Sequence, residues 1–138
     1  MSMERTLYFD GASKGNPGLA GAGVVIYEGD GDGDIEVYSE SVFVGLKETN
    51  NVAEYTGLVT GLKAALNMGA TRLNVKGDSD LIIKQMNGAY KVKSPNLIEL
   101  YEEATQLAKQ FETITFVHVY RHLNTRADEL ANIGCSGV

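Results

Sequence analysis

At 138 residues, 43% hydrophobic and 22% charged, the chain has the length and composition of one globular domain around a single core, residues 1–138. No apolar run nears the ~20 residues that cross a bilayer, and with the polar start Met1–Arg5 neither a leader peptide nor a membrane partner is expected. A lone cysteine, Cys135, excludes an internal disulfide and fits a reducing, cytoplasmic setting, while a net charge of −6 argues at first against a nucleic-acid partner.

The first strand is predicted over Arg5–Asp10, and its apolar run Leu7–Phe9 delivers a carboxylate at Asp10. Three glycines and a proline follow in Gly11–Gly18 and turn the chain into a second strand, Gly21–Tyr27. Asp10 then either caps this hairpin or, beside bare glycine backbone, serves a hard cation and a phosphate. Residues 28–34 alternate Gly and acid as a hairpin turn. Their Asp30-x-Asp32-x-Asp34 spacing lacks the Gly and Glu a calcium loop needs, which Ile35 and Ser41 replace. Residues 35–44 form a third strand.

The charge is local to this stretch. Glu28, Asp30, Asp32, Asp34, Glu36 and Glu40 occupy residues 28–40 without a Lys or Arg, and removing those six from 18 acids leaves 12 against 12 basic residues. With four more acids gathered in one metal site, the remaining surface is net positive, so the objection to nucleic acid falls away.

A helix is predicted over Asn50–Met68, capped by Asn50 or Asn51 and ended at Gly69, with Val52, Tyr55, Val59, Leu62 and Leu66 as its apolar stripe. Glu54 lies beside that stripe, placed there for the helix N-terminus or for chemistry. A fourth strand, Thr71–Lys76, ends at Gly77-Asp78-Ser79-Asp80 and leads to a short helix, Leu81–Met86. The basic loop Ala89–Lys93 precedes a helix over Pro95–Phe111 with Pro at its first position. Thr113–Tyr120 is the fifth strand, and Asn124 caps a last helix.

The element order β-β-β-α-β-α-α-β-α predicts an α/β fold. It is a five-stranded mixed sheet with strands 1, 4 and 5 parallel and helices on both faces. Asp10 and Asp78 then end neighbouring parallel strands, while Glu54 and Asp128 start helices that enter at the same edge, where open α/β sheets place ligands. Four acids converging there repel one another unless cations neutralise them, and an all-oxygen donor set selects Mg²⁺ or Mn²⁺ over zinc. Two such ions about 4 Å apart suit in-line phosphodiester hydrolysis. No P-loop or GxGxxG fingerprint is present.

The blocks FDGASKGNPG, TNNVAEY, GDS and NTRADELAN, in this order and spacing, resemble type 1 ribonuclease H, in the short form of plant and some prokaryotic members. The resemblance covers nearly the whole chain. It implies the ribonuclease H fold and metal-dependent endonucleolysis of the RNA strand of RNA–DNA hybrids, leaving 5′-phosphate and 3′-hydroxyl ends; a monomer is expected. It also implies two Mg²⁺ ions, replaceable by Mn²⁺, bound by Asp10, Glu54, Asp78 and Asp128, with Asp10 bridging both and Asp128 on the side of the attacking water. By the same resemblance Asn16, Asn50 and Asn51 read the minor groove, Glu54 touches a ribose 2′-hydroxyl, and Thr49 with Lys47 grips a phosphate of the DNA strand.

Three departures accompany the resemblance. The basic helix of longer members shrinks to Tyr90-Lys91-Val92-Lys93, the chain has no Trp, and no separate hybrid-binding domain is expected, which predicts salt-sensitive binding. His122, the candidate for a catalytic assist, stands only six residues before Asp128 in a shortened loop. Asp80 replaces a neutral amide that faces the minor groove. Competing readings are a relaxed nuclease that also cuts double-stranded RNA, a hybrid-binding module without cleavage, and, last, a metal phosphatase, which leaves Asn50 and Asn51 unexplained.

Overall fold

Leu7 and Phe9 on one strand and Val24 and Ile26 on the next are fully buried, and this period of two sets the core-facing side of a sheet. The structure, a computed structural model, describes residues 4–29 and 35–136. Its strands are β1 (Glu4–Lys14), β2 (Gly18–Glu28), β3 (Ile35–Glu48), β4 (Arg72–Gly77) and β5 (Thr113–His118). The helices are α1 (Asn50–Asn67), α2 (Asp80–Met86), α3 (Pro95–Ala108) and α4 (Thr125–Gly134), with one 3₁₀ turn at Arg121–Leu123. The sheet order is β3-β2-β1-β4-β5. β1, β2 and β3 pair antiparallel, while β1, β4 and β5 run parallel, the predicted mixed sheet.

Two helices sandwich the centre of this sheet. α1 lies over Leu7, Phe9, Val24 and Ile26, and its Tyr55, Leu58 and Leu62 are fully buried in the same cluster, which α3 extends through Leu97 and Ala104. The opposite face is thinner: Val25 meets Ala127 and Leu130 of α4, flanked by Tyr8 and Tyr27. Four of the five predicted stripe residues of α1 are core residues; Leu66 is half-buried at the margin.

Several boundaries differ from the sequence reading. β1 does not stop at Asp10: Gly11–Lys14 continue the ladder against Ala22–Leu19, and only Gly15–Pro17 turn. The cap of α1 is Thr49, whose Oγ1 accepts from the Val52 N–H at 3.2 Å, because Asn50 and Asn51 already have helical backbone. α3 ends at Ala108, and Phe111 enters the core from the turn that follows. β5 ends at His118, where β4 runs out of partners for it at Gly77. The acidic turn at Asp30–Asp34 lies outside the described residues.

Candidate active site

β1 is longer than its parallel neighbour. Their pairing ends at Phe9 opposite Gly77, so the next residues, Asp10 and Asp78, emerge side by side where β4 stops but β1 continues. Glu54 reaches them from α1 because Gly11 has no side chain: a Cβ there would lie 2.3 Å from the Glu54 backbone nitrogen. Carboxylate oxygens of Asp10, Glu54 and Asp78 all lie within 4.8 Å of one another. Glu54 is buried, at 7% exposure, against this pair of strand ends.

Asp128 approaches from the other face by a similar device. Gly23 pairs with Asp10 across β1 and β2, and a Cβ on Gly23 would stand 2.1 Å from the carbonyl oxygen of Ala127. α4 thus sits directly on the sheet, with half-buried Asp128 in its first turn. It stands outside the group of three, yet its carboxyl engages that of Asp10.

Burial is the largest influence that pushes the Asp10 carboxyl up, to about 7; the Asp78 charge and the contact with Asp128 add to it. The Gly11 N–H, donating to Asp10 Oδ1 at 2.9 Å, and Glu54 act the other way. Glu54 is raised well above the usual carboxylate range, again by burial first and then by Asp10 and Asp78. Such a cluster holds protons near neutral pH unless a cation replaces them. Two of its buried oxygens, Glu54 Oε1 and Asp78 Oδ2, accept no hydrogen bond. Orphan oxygens in an all-carboxylate set fit a hard divalent cation.

The remaining predicted residues lie beside this cluster in separate arrangements. Asn16, in the β1–β2 turn with φ of 34°, accepts the Asn50 N–H on Oδ1 at 3.0 Å and so ties the turn to the start of α1. A polar groove of about 440 Å³ is lined by Asn16, Thr49 and Asn51 together with Gln85, Lys91, Lys93, Ser94 and Asn96. Lys47 and Asn50 are exposed and outside that lining. Thr49 enters it with its hydroxyl already engaged as the helix cap. His122 is exposed on the 3₁₀ turn and its ring stacks on Tyr120. Asp80 is paired with Lys84 at 3.0 Å, so its charge is not free.

Sequence reasoning missed the groove's far wall. Lys91 and Lys93 stand out only as remnants of a basic segment, and Ser94 and Asn96 read as helix-start residues. Asn124 is the N-cap residue of α4 as predicted, but its side chain makes no capping bond. Asn124 Nδ2 donates to the Phe9 carbonyl at 2.9 Å, a buried bond from the α4 entry to the residue before Asp10.

Residues 8–134 match the family model described as reverse transcriptase-like. The bifunctional protein Rv2228c of Mycobacterium tuberculosis is 46% identical over 130 residues, which cover 94% of this chain and 35% of that protein. The chain spans 35% of the length of the first curated relatives it matches. The RNase H1 structure from the halophilic archaeon Halobacterium salinarum superimposes with a TM-score of 0.90 at 38% identity, covering 98% of this chain and 99% of that one. LC11-RNase H1, solved in complex with an RNA/DNA hybrid, gives 0.83 at 35% identity, with 96% and 97% covered. The chain belongs to the reverse transcriptase-like family and, within it, to the type 1 ribonucleases H.

Proposed function

We propose that this chain is an endoribonuclease that hydrolyses the RNA strand of RNA–DNA hybrids at the cluster of Asp10, Glu54, Asp78 and Asp128. The observation that carries the reading is the carboxylate triad within 4.8 Å, with buried oxygens on Glu54 and Asp78 that lack donors. The hybrid bound to the related LC11-RNase H1 supports the choice of substrate. When bound, two Mg²⁺ ions, or Mn²⁺ in their place, supply water activation and stabilisation of the leaving 3′-oxygen, giving 5′-phosphate and 3′-hydroxyl ends.

The chain's own residues do the rest. Asp10, between both faces of the sheet, gives up its proton on cation binding and holds the cluster's centre. Glu54 and Asp78 fix the scissile side, and Asp128 aligns the side of the attacking water. Asn16, Asn50 and Asn51 offer amides to the minor groove, a geometry that reads A-like shape and 2′-hydroxyls more than base sequence. Thr49, Lys47, Lys91 and Lys93 take the phosphates of the DNA strand. The same reading has the protein act as a monomer in the cytoplasm, where the buried Cys135 thiol stays reduced. Among the described residues no helix is long and apolar enough to cross a membrane.

Three labelled duplexes of one sequence, RNA–DNA, RNA–RNA and DNA–DNA, test the proposal with Mg²⁺, with Mn²⁺ and with EDTA. Metal-dependent cutting of the RNA strand in the hybrid is the expected result. Hybrid bound without cutting in either metal would overturn it in favour of a binding module, and equal cutting of RNA–RNA would broaden the substrate.

A further inference from the structure

The chain between β5 and α4 is pinned at both ends to the active-site edge. The Val119 N–H donates to the Gly77 carbonyl at 2.9 Å, one residue before Asp78, and Asn124 holds the Phe9 carbonyl, one residue before Asp10. Between these pins, Tyr120 is 69% exposed. Its ring lies nearly parallel to that of His122, at 8° with centroids 6.1 Å apart, and His118 meets it edge-on at 5.7 Å. Arg121 is exposed and, among the described residues, forms no ion pair. At that exposure Tyr120 contributes little to the core, so core packing does not account for it.

Exposed aromatic faces interleaved with a free cation are the chemistry that holds single-stranded nucleic acid: bases stack on the rings and the cation follows the phosphates. A base inside a duplex has both faces covered, so the occupant is unpaired. The platform shares its edge with the carboxylates that take the RNA strand, so the strand arriving there is RNA and not the paired DNA. We propose that Tyr120, backed by His122, stacks an unpaired RNA base where the RNA strand runs on past the end of the hybrid, with Arg121 on the adjoining phosphate. This rests on the hybrid-cleavage reading above and adds to it a preference for hybrids with single-stranded RNA tails.

The test compares a blunt hybrid with the same hybrid carrying a short unpaired RNA tail at either end of the RNA strand, or a DNA tail. Tyr120→Ala is expected to raise KM for the favoured RNA-tailed hybrid by about fivefold or more, the lower end of what one stacked base contributes. Its kcat, its KM on the blunt hybrid and its melting temperature stay at the wild-type values, and Tyr120→Phe, which keeps the ring, restores the tailed KM. Equal KM changes on blunt and tailed hybrids, no change on either RNA-tailed hybrid, or an equal response to DNA tails would overturn the proposal. A 2-aminopurine at the first unpaired RNA position, read in EDTA, separates the two readings. Quenching by wild type and Tyr120→Phe but not by Tyr120→Ala supports the platform even if no duplex is cut, and equal quenching by all three sinks it.

Discussion

The two faces of the sheet are built to different depths. On the α1 face a broad apolar cluster runs from Leu7 and Phe9 through Tyr55, Leu58 and Leu62 to Leu97 on α3. On the α4 face the buried cluster among the described residues is Val25, Ala127 and Leu130, and the helix is held by close backbone approach at Gly23, by the Asn124–Phe9 bond and by Arg126, which donates to both oxygens of Glu36. Apolar burial scales with area, so the first face carries most of the stability. The second contributes little area but sets where Asp128 sits. Asp10, on the strand between them, is answerable to both.

The largest effect is expected at that meeting point. Asp10→Asn should lower hybrid cleavage by roughly a thousandfold, because it removes a carboxylate from the centre of a cation site worth several kcal/mol, as single-turnover kinetics will show. The same change should stabilise the metal-free fold. Asp10 has a folded-state value raised from 3.8 to about 7, so its proton is bound more tightly in the folded chain. The stability linked to that proton is complete below about pH 4 and is lost as pH rises through about 7, a loss on the order of a few kcal/mol. Urea denaturation in EDTA at acid and mildly alkaline pH should show this slope in the wild type and a weaker one in Asp10→Asn. Saturating Mg²⁺ should recover the loss on the alkaline side.

Substitutions confined to one face sharpen the contrast. Leu58→Ala, in the deep cluster, should cost about 2–5 kcal/mol in denaturation while leaving kcat of the folded enzyme nearly unchanged. Gly23→Ala should act on turnover as well as on stability. The added methyl meets the Ala127 carbonyl, so α4 must lift, for an overpacking cost of about 1–3 kcal/mol. The shift of Asp128 should cost up to about a hundredfold in kcat. If Gly23→Ala left kcat intact, α4 would not be positioned by that contact. Arg126→Ala should have the smallest effect, a slight loss of melting temperature that vanishes at high salt, because its partners Glu36 and Glu129 are solvent-exposed.

Much of the site was legible because its chemistry is written in residue types at local boundaries. Asp10 after an apolar run, Asp78 at the end of another and Asp128 after Asn124 could each be placed by strand and helix signals alone. Thr49 was harder: Thr, Asn and Asn in succession all cap well, and only the backbone at Asn50 decides which one does. The extension of β1 past Asp10 was hidden because Gly-rich sequence reads as turn, whereas Gly11 and Ala12 stay in the ladder with β2. Asn124 reads as a helix cap, yet a bond 115 residues away in sequence claims its side chain. The basic wall of the polar groove, Lys91 and Lys93 with Asn96, comes from a loop with no periodic pattern to interpret.

From the sequence alone came the order of the elements, the parallel pairing of the strands that end at Asp10 and Asp78, and the expectation that Glu54 and Asp128 start helices at that same edge. These follow from hydrophobic period and from turn residues, which act over a few neighbours along the chain. Only the tertiary structure decided that Gly11 and Gly23 serve as contact surfaces for two helices on opposite faces. It alone brought three carboxylates to within 4.8 Å of one another, with Asp128 reaching Asp10 from the other face, and placed the rings of the β5–α4 loop on the same sheet edge. How closely two backbones approach depends on small residues far apart in sequence meeting across a packed sheet, and that distance is a property of the assembled core.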